Sequence, residues 1–192
     1  MEGVRQKEYG RLDATGHTYL DYTGGGLYSD SQILEHLNLL RGDVFGNPHS
    51  GNPASVTTMR LVDSARDYIL EYFNASPDEY VAIFTANATA AIKLVGEAYP
   101  FQSGDRYLLT FYNHNSINGI RRFAHMKGAS VTYVPVVPPE LRVAPNRLAD
   151  DLGTTRPRQH NLFAYPVQSS FSGVQHPLSG SIKPTNRDGM SY

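Results

Sequence analysis

Residues Tyr80 to Tyr99 read YVAIFTANATAAIKLVGEAY, and this stretch decides which fold class the chain can adopt. Its first part, Tyr80 to Thr85, is short and rich in Val, Ile and Phe, which predicts a buried strand. Its last part, Ala88 to Ala98, has apolar residues at helical spacing and predicts an amphipathic helix. A strand that leads into a helix through small polar residues is typical of an α/β protein.

The turn between these two parts, residues Thr85 to Thr89, is a candidate anion site. The first N–H groups of a helix have no partner within the helix and lie at the positive end of its dipole. The anion most often held in this way is a phosphate. Alternatively, Asn87 or Thr89 only caps the helix, since both residue types are common caps.

The composition is that of a soluble globular domain and narrows the classes of partner. A formal net charge of −1 over 192 residues gives no reason to expect nucleic acid. No apolar run reaches the roughly 20 residues needed to cross a bilayer, so we expect no membrane partner. Met1 to Gly16 lacks an apolar signal core, so we expect a cytoplasmic protein. Zero cysteines exclude disulfides and thiolate metal sites, and we assign no metal site.

The rest of the chain alternates between strand and helix patterns. Strands are predicted at Thr18–Tyr22, Arg106–Tyr112, Ser130–Val137 and Asn161–Pro166. Helices are predicted at about Ser29–Leu40, Ala54–Asn74 and His114–Lys127, with a short one near Asn146–Leu152. This alternation predicts an α/β fold with a mostly parallel sheet and helices on both faces. Ligands of such sheets bind beyond the carboxyl ends of the strands. There we expect the Thr85–Thr89 turn, the Asn113–His114 turn and the segment after Pro166 to meet.

Six segments, in this order, match a family pattern between Thr18 and Leu178. They are YLDYTGGGLYS (Tyr19–Ser29), VFGNPHS (Val44–Ser50), EYFNASPDEY (Glu71–Tyr80), FTANATAAIKLVGE (Phe84–Glu97), NHNSINGIR (Asn113–Arg121) and NLFAYPVQSSFSGVQHPL (Asn161–Leu178). Together they resemble the class V branch of the fold-type I pyridoxal-phosphate enzymes, and more closely the cysteine desulfurase-like domain of molybdenum cofactor sulfurases. The resemblance implies a truncated transferase large domain over residues 18–178, incomplete at its C-terminal side. An N-terminal extension, residues 1–17, would precede it, and a polar tail, residues 179–192, would follow.

The resemblance also implies a cofactor, pyridoxal 5'-phosphate, and the residues that contact it. Its phosphate would be held at Asn87, Ala88 and Thr89, by backbone N–H groups and the Thr89 hydroxyl; the family's usual Ser-Gly pair is Ala86-Asn87 here. His114 would stack on the pyridine ring, although a helix cap is the alternative role for this residue. Ser170 stands where the family has an asparagine that contacts the cofactor's phenolic oxygen.

The family's chemistry requires a lysine that forms a Schiff base and a carboxylate on the pyridine nitrogen. None of the four lysines, Lys7, Lys93, Lys127 and Lys183, stands in the family's lysine context, so we assign no catalytic residue and expect the chain to be inactive alone. For the complete domain the resemblance implies an amino-acid substrate, with removal of sulfur from L-cysteine as one of several class V reactions.

Two other functions are consistent with the same residues. The first is a truncated, non-catalytic module that binds the cofactor, or a protein partner, and pairs with a complete homologue. The second is an α/β domain whose Ala88–Thr89 turn binds some other phosphate. Because members of the resembled family are dimers, we expect a homo-oligomer or an association with a complete homologue.

Overall fold

The computed structural model describes residues 2–143, 150–151 and 159–176. These form two compact units, Met1–Phe84 and Thr85–Tyr192, which we call the first and second units. The polar tail lies outside the described residues, and so does the helix predicted near Asn146–Leu152 except at Asp150 and Asp151, which are helical.

The first unit contains three helices: α1 (Glu2–Ala14), α2 (Asp30–Gly42) and α3 (Pro53–Tyr72). Helix α1 lies within residues 1–17, the predicted N-terminal extension. The sequence does not indicate this helix, because it has no apolar stripe. Polar contacts join it to α2 instead. The Arg11 guanidinium donates to Asp30 Oδ1 at 2.9 Å, and the Ser31 N–H donates to Glu8 Oε2 at 2.9 Å.

Helices α2 and α3 confirm the helices predicted at these segments. Each begins at a capping residue in the local sequence. At α2, Ser29 Oγ accepts from the Gln32 N–H at 3.2 Å and Gln32 Oε1 accepts from the Ser29 N–H at 2.8 Å, a complete capping box. At α3, Asn52 Oδ1 accepts from the Ser55 N–H at 3.0 Å, and Pro53 takes the first helical position.

The strands predicted at Thr18–Tyr22 and Tyr80–Thr85 are wrong, since the structure has neither strand nor helix at either segment. The first runs into a turn in which the Asp21 carbonyl accepts from the N–H groups of Gly24 and Gly25, both at 3.1 Å. The second finds no neighbouring strand among the described residues, so Val81 stays 74% exposed. A strand requires a partner, and an apolar run alone does not supply one.

The second unit is built on a parallel three-stranded sheet, which confirms the α/β class. Its strands are β1 (Arg106–Thr110), β2 (Ser130–Val134) and β5 (Leu162–Ala164), in the order β2-β1-β5. Strand β2 ends before Pro135, which has no N–H to donate to a ladder. Beyond it, β3 (Val136–Val137) and β4 (Arg142–Val143) form an antiparallel pair.

The described part of the second unit also contains the helices α4 (Ala88–Ala98), α5 (Asn115–Asn118) and α6 (Ile120–Met126), besides the helical residues Asp150 and Asp151. The prediction of a single helix at His114–Lys127 is therefore wrong, because the helix is interrupted at Gly119. There the Arg122 N–H donates to the Gly119 carbonyl at 3.2 Å, a bond that spans three residues and not the four of an α-helix. The main core packs the helices against one sheet face and contains Phe101, Tyr107, Leu109, Ile120 and Ala124. The other face carries Leu108 and Val134, and Val143 of β4 packs against them.

The segment after β5 returns to the end of β1 through Tyr112 and His176. Their rings stack with an interplanar angle of 14°, and the Tyr112 hydroxyl hydrogen-bonds His176 Nε2. The Tyr165 ring meets the imidazole edge-on. Burial lowers the pKa of His176 below its ordinary value of 6.5, and the nearby positive charge of Arg142 lowers it further.

This packing predicts how the segment responds to acid. Because the folded pKa of His176 lies below the unfolded one, protonation favours the unpacked segment. The stabilisation is therefore present above pH 6.5 and is lost as the pH falls through that value towards the folded pKa. We expect an NMR titration midpoint for His176 below 6.5, moved back towards 6.5 in Tyr112→Ala, which removes the covering ring. A wild-type midpoint at or above 6.5 would contradict the packing.

Candidate functional site

The carboxyl ends of β1 and β5 are held together by Asn113, which is 8% exposed. Its Nδ2 lies 2.9 Å from the Ala164 carbonyl and 2.9 Å from Thr110 Oγ1, with the Thr110 carbonyl at 3.1 Å. One carboxamide thus joins two neighbouring strands at the edge where ligands of parallel sheets bind. Sequence reasoning named this turn, but the role of Asn113 depends on contacts across 51 residues.

His114 follows Asn113 and caps helix α5 through its side chain. The Ser116 N–H donates to His114 Nδ1 at 3.2 Å, and Ser116 Oγ lies 3.0 Å from the same nitrogen. An Nδ1 that accepts from an N–H carries no proton, so the neutral ring has its proton on Nε2. The ring is exposed, and no described residue hydrogen-bonds its Nε2.

At the start of α4 the cap and the candidate anion site coexist. Asn87 Oδ1 accepts from the Ala90 N–H at 3.0 Å, so Asn87 is the cap of this helix. Within the described chain, the N–H groups of Ala88 and Thr89 make no hydrogen bond. Capping therefore satisfies one donor of the first turn and leaves two donors for an anion.

Thr89 and His114 are brought together by Ser116. Thr89 Oγ1 lies 2.6 Å from Ser116 Oγ, which in turn lies 3.0 Å from His114 Nδ1. The two free N–H groups of α4 and the imidazole therefore belong to one cluster. Sequence reasoning missed Ser116, although a serine two residues after a residue that caps a helix could have indicated it.

Ser170 is the predicted site residue that lies in a different segment, after strand β5. Its side chain is exposed and bonds to no described residue. The neighbouring Ser169 is buried instead, and its Oγ accepts from the N–H groups of Phe171 at 3.3 Å and Ser172 at 3.2 Å. Of the five predicted site residues, the structure joins Thr89 and His114 through Ser116, and the cofactor roles of all five stay predictions.

The described lysines make contacts of other kinds. Lys127 Nζ donates to the carbonyls of Glu97 and Tyr99, both at 2.7 Å, at the C-terminal end of α4. At 1.5 Å per residue, this end lies about 15 Å from the first turn of the helix. Lys93 pairs with Glu97 at 3.4 Å, and Lys7 pairs with Glu8 at 3.6 Å. Lys183 lies outside the described residues.

Two other features are absent from the described residues. No group of three or more His, Asp or Glu side chains is arranged to hold a metal ion. None of the described helices is long and apolar enough to span a membrane.

Comparison with known proteins gives a consistent result. The aminotransferase class-V family model matches residues 18–191. The chain is 38% identical over 196 residues to the molybdenum cofactor sulfurase of Arabidopsis thaliana, covering 93% of this chain and 24% of that protein. It is 38% identical over 205 residues to the human molybdenum cofactor sulfurase, covering 100% of this chain and 22% of that protein. The chain thus spans about a quarter of the length of these relatives.

Solved structures show the same fold. A mutant of the C–S lyase C-DES, with glycine covalently linked to its pyridoxal-phosphate cofactor, matches with a TM-score of 0.60 and 22% identity over 82% of this chain and 40% of that chain. The cysteine desulfurase CsdA of Escherichia coli matches with a TM-score of 0.55 and 21% identity over 74% of this chain and 36% of that chain. With the family model matched from residue 18 to residue 191, the chain belongs to the aminotransferase class-V family and is a homologue of part of the molybdenum cofactor sulfurases.

Proposed function

We propose that this chain binds pyridoxal 5'-phosphate and forms the cofactor-binding part of a cysteine desulfurase-like domain. The proposal rests on one observation, the hydrogen-bonded series Thr89–Ser116–His114. This series connects the first turn of α4, which has two free N–H groups and the Thr89 hydroxyl, to an exposed flat ring. A ligand that carries a phosphate on an aromatic ring needs donors of this kind.

The phosphate would be held by the N–H groups of Ala88 and Thr89 and by the Thr89 hydroxyl, which would turn its proton from Ser116 Oγ to the phosphate. These groups fit because the N–H donors have no partner in the described chain and lie at the positive end of an 11-residue helix. Asn87 contributes by capping the helix, which holds the first turn in shape. Charge-assisted bonds from N–H and O–H groups to phosphate are the stronger class of hydrogen bond.

The pyridine ring would lie against the imidazole of His114. The use of Nδ1 in capping fixes the ring's orientation and leaves its exposed face for stacking. The exposed Nε2–H can donate a hydrogen bond to a bound ligand. When bound, pyridoxal phosphate supplies an electron-withdrawing ring that stabilises negative charge on an amino-acid substrate. We propose L-cysteine as the substrate of the complete domain, and we assign Ser170 to the phenolic oxygen of the cofactor.

A second candidate function is a non-catalytic module that pairs with another copy or with a complete homologue. Two observations favour it. The described lysines all have other partners, and α2 has no buried residue. The apolar side chains of α2 are instead 45–58% exposed at Ile33, Leu34, Leu37 and Leu40. Exposed apolar stripes of this kind are typical of surfaces that another chain covers.

The phosphate contact can be tested at Thr89. We expect Thr89→Val to weaken the binding of pyridoxal phosphate about tenfold or more, since a hydrogen bond to a charged group is worth about 1.5–3 kcal/mol. Pyridoxal, which lacks the phosphate, should be affected little, and Thr89→Ser should retain the affinity. The measurement is equilibrium dialysis with both compounds, with Thr58→Val on α3 as the control. Equal losses for pyridoxal and its phosphate would indicate that Thr89 only supports the local structure.

Stacking and capping by His114 can be separated with two substitutions. Phenylalanine retains a flat ring but cannot cap a helix, whereas asparagine caps a helix but cannot stack. We expect His114→Phe to bind pyridoxal phosphate more tightly than His114→Asn, measured by the same dialysis. The opposite order would show that the imidazole serves only as a cap.

Borohydride reduction tests whether the chain carries a covalent anchor for the cofactor. The reagent fixes a cofactor that is bound to a lysine as a Schiff base, and peptide mass spectrometry identifies that lysine. Because Lys93 and Lys127 are held by other groups, we expect dialysis after reduction to remove the cofactor from the chain alone. This result would show that the chain binds the cofactor reversibly and that a complete domain must supply the lysine from outside the described residues. Stoichiometric labelling of a single lysine would instead show that the chain carries its own covalent anchor.

A further inference from the structure

A basic groove lies between helix α6 and strand β2 of the second unit. Its volume is about 630 Å³, and it is lined by Gly119, Arg121, Arg122, His125, Val131 and Tyr133. None of these residues is among the proposed cofactor contacts. We refer to these six residues as the basic groove.

The groove carries a positive charge that the nearby sequence does not neutralise. Residues 106–139 contain four Lys or Arg residues and no Asp or Glu, although the whole chain has a formal net charge of −1. Arg121 donates from Nη1 to the Tyr133 hydroxyl at 3.0 Å. Neither Arg121 nor Arg122 forms an ion pair with a described carboxylate. The guanidinium groups therefore remain available to an external anion.

The same groove borders a free edge of the sheet. Strand β2 is the outermost strand of the described sheet, next to β1 only. Its residues Ser130 and Val134 turn their main-chain groups towards β1, since the Ser130 N–H donates to Asp105 and the Val134 carbonyl accepts from Phe111. Main-chain groups alternate along a strand, so those of Val131 and Tyr133 face outwards. Two of the residues that line the groove thus also present unpaired main-chain donors and acceptors.

We propose that the basic groove docks an extended acidic segment of a partner protein, which adds to β2 as a further strand. Main-chain bonds to Val131 and Tyr133 would align the segment, and carboxylates at alternate positions would face Arg121 and Arg122. Strand addition at a free edge is a known way in which extended peptides are recognised, and pockets for alternate side chains supply its specificity. A free phosphate would use the guanidinium groups but leave the strand edge unpaired, so the edge favours a peptide.

The charge requirement can be measured with a synthetic probe. We expect a fluorescein-labelled peptide of alternating glutamate and valine to bind the full 192-residue chain, with its Kd measured by fluorescence anisotropy. We expect the double variant Arg121→Glu, Arg122→Glu to bind the peptide at least tenfold more weakly. The control variant Arg41→Glu, Arg60→Glu has the same change of charge on exposed positions of α2 and α3, and it should bind as the wild type does. Equal Kd values for the two double variants would overturn the proposal.

The requirement for the strand edge is tested on the unmodified protein, so no variant has to fold. N-methylation of alternate peptide amides removes the donors that an added strand needs but leaves every carboxylate in place. We expect the methylated peptide to bind at least fivefold more weakly than the plain one, and a lysine–valine peptide not to bind. If methylation has no effect, or if inorganic phosphate displaces the peptide at equal concentration, the groove is a simple anion site and the strand proposal is wrong.

Discussion

The Asn113 carboxamide is the contact on which the placement of the site depends. Its Nδ2 reaches acceptors on Thr110 and Ala164 and thereby holds the turn after β1 against the end of β5. Because Asn113 is buried, losing either partner would leave an unsatisfied polar group, which costs more than one hydrogen bond contributes. Because His114 follows Asn113 directly, these hydrogen bonds also fix the position of the His114 backbone.

Two hydroxyl groups connect His114 to helix α4. Ser116 contacts both elements. Its N–H donates to Nδ1 of His114, which caps α5, and its Oγ lies 2.6 Å from Thr89 Oγ1. The first turn of α4 can be capped and can still bind a phosphate. Asn87 satisfies the Ala90 N–H and leaves the donors of Ala88 and Thr89 free. A helix start has several unpaired donors, and one cap does not use them all.

Helices α2, α3 and α4 were predictable from this sequence because their signals are local, whereas α1 and the break between α5 and α6 have no such signal. Ser29 with Gln32, and Asn52 with Pro53, mark the starts of α2 and α3 within a few residues of chain, and α4 begins after Asn87 as its spacing predicts. The class of sheet and the cluster of Thr89 with His114 followed from the alternation of elements and from the family resemblance. Ser116 as a bridge and the Tyr112–His176 pair did not, since each depends on which residues meet after folding across 27 and 64 positions.

Because Tyr80–Thr85 is not a strand, other contacts must position helix α4. The segment that enters this helix is not held by a ladder in the described chain, so the sheet does not fix the first turn directly. The helix is located from its other contacts. Near its C-terminal end, Gly96 lies so close to α6 that an added Cβ would come within 2.7 Å of the Phe123 ring, and near its start Thr89 bonds Ser116. The free N–H groups of α4 are therefore aimed by packing on α6 and by one hydroxyl pair, and α6 itself rests on β1, which Asn113 secures.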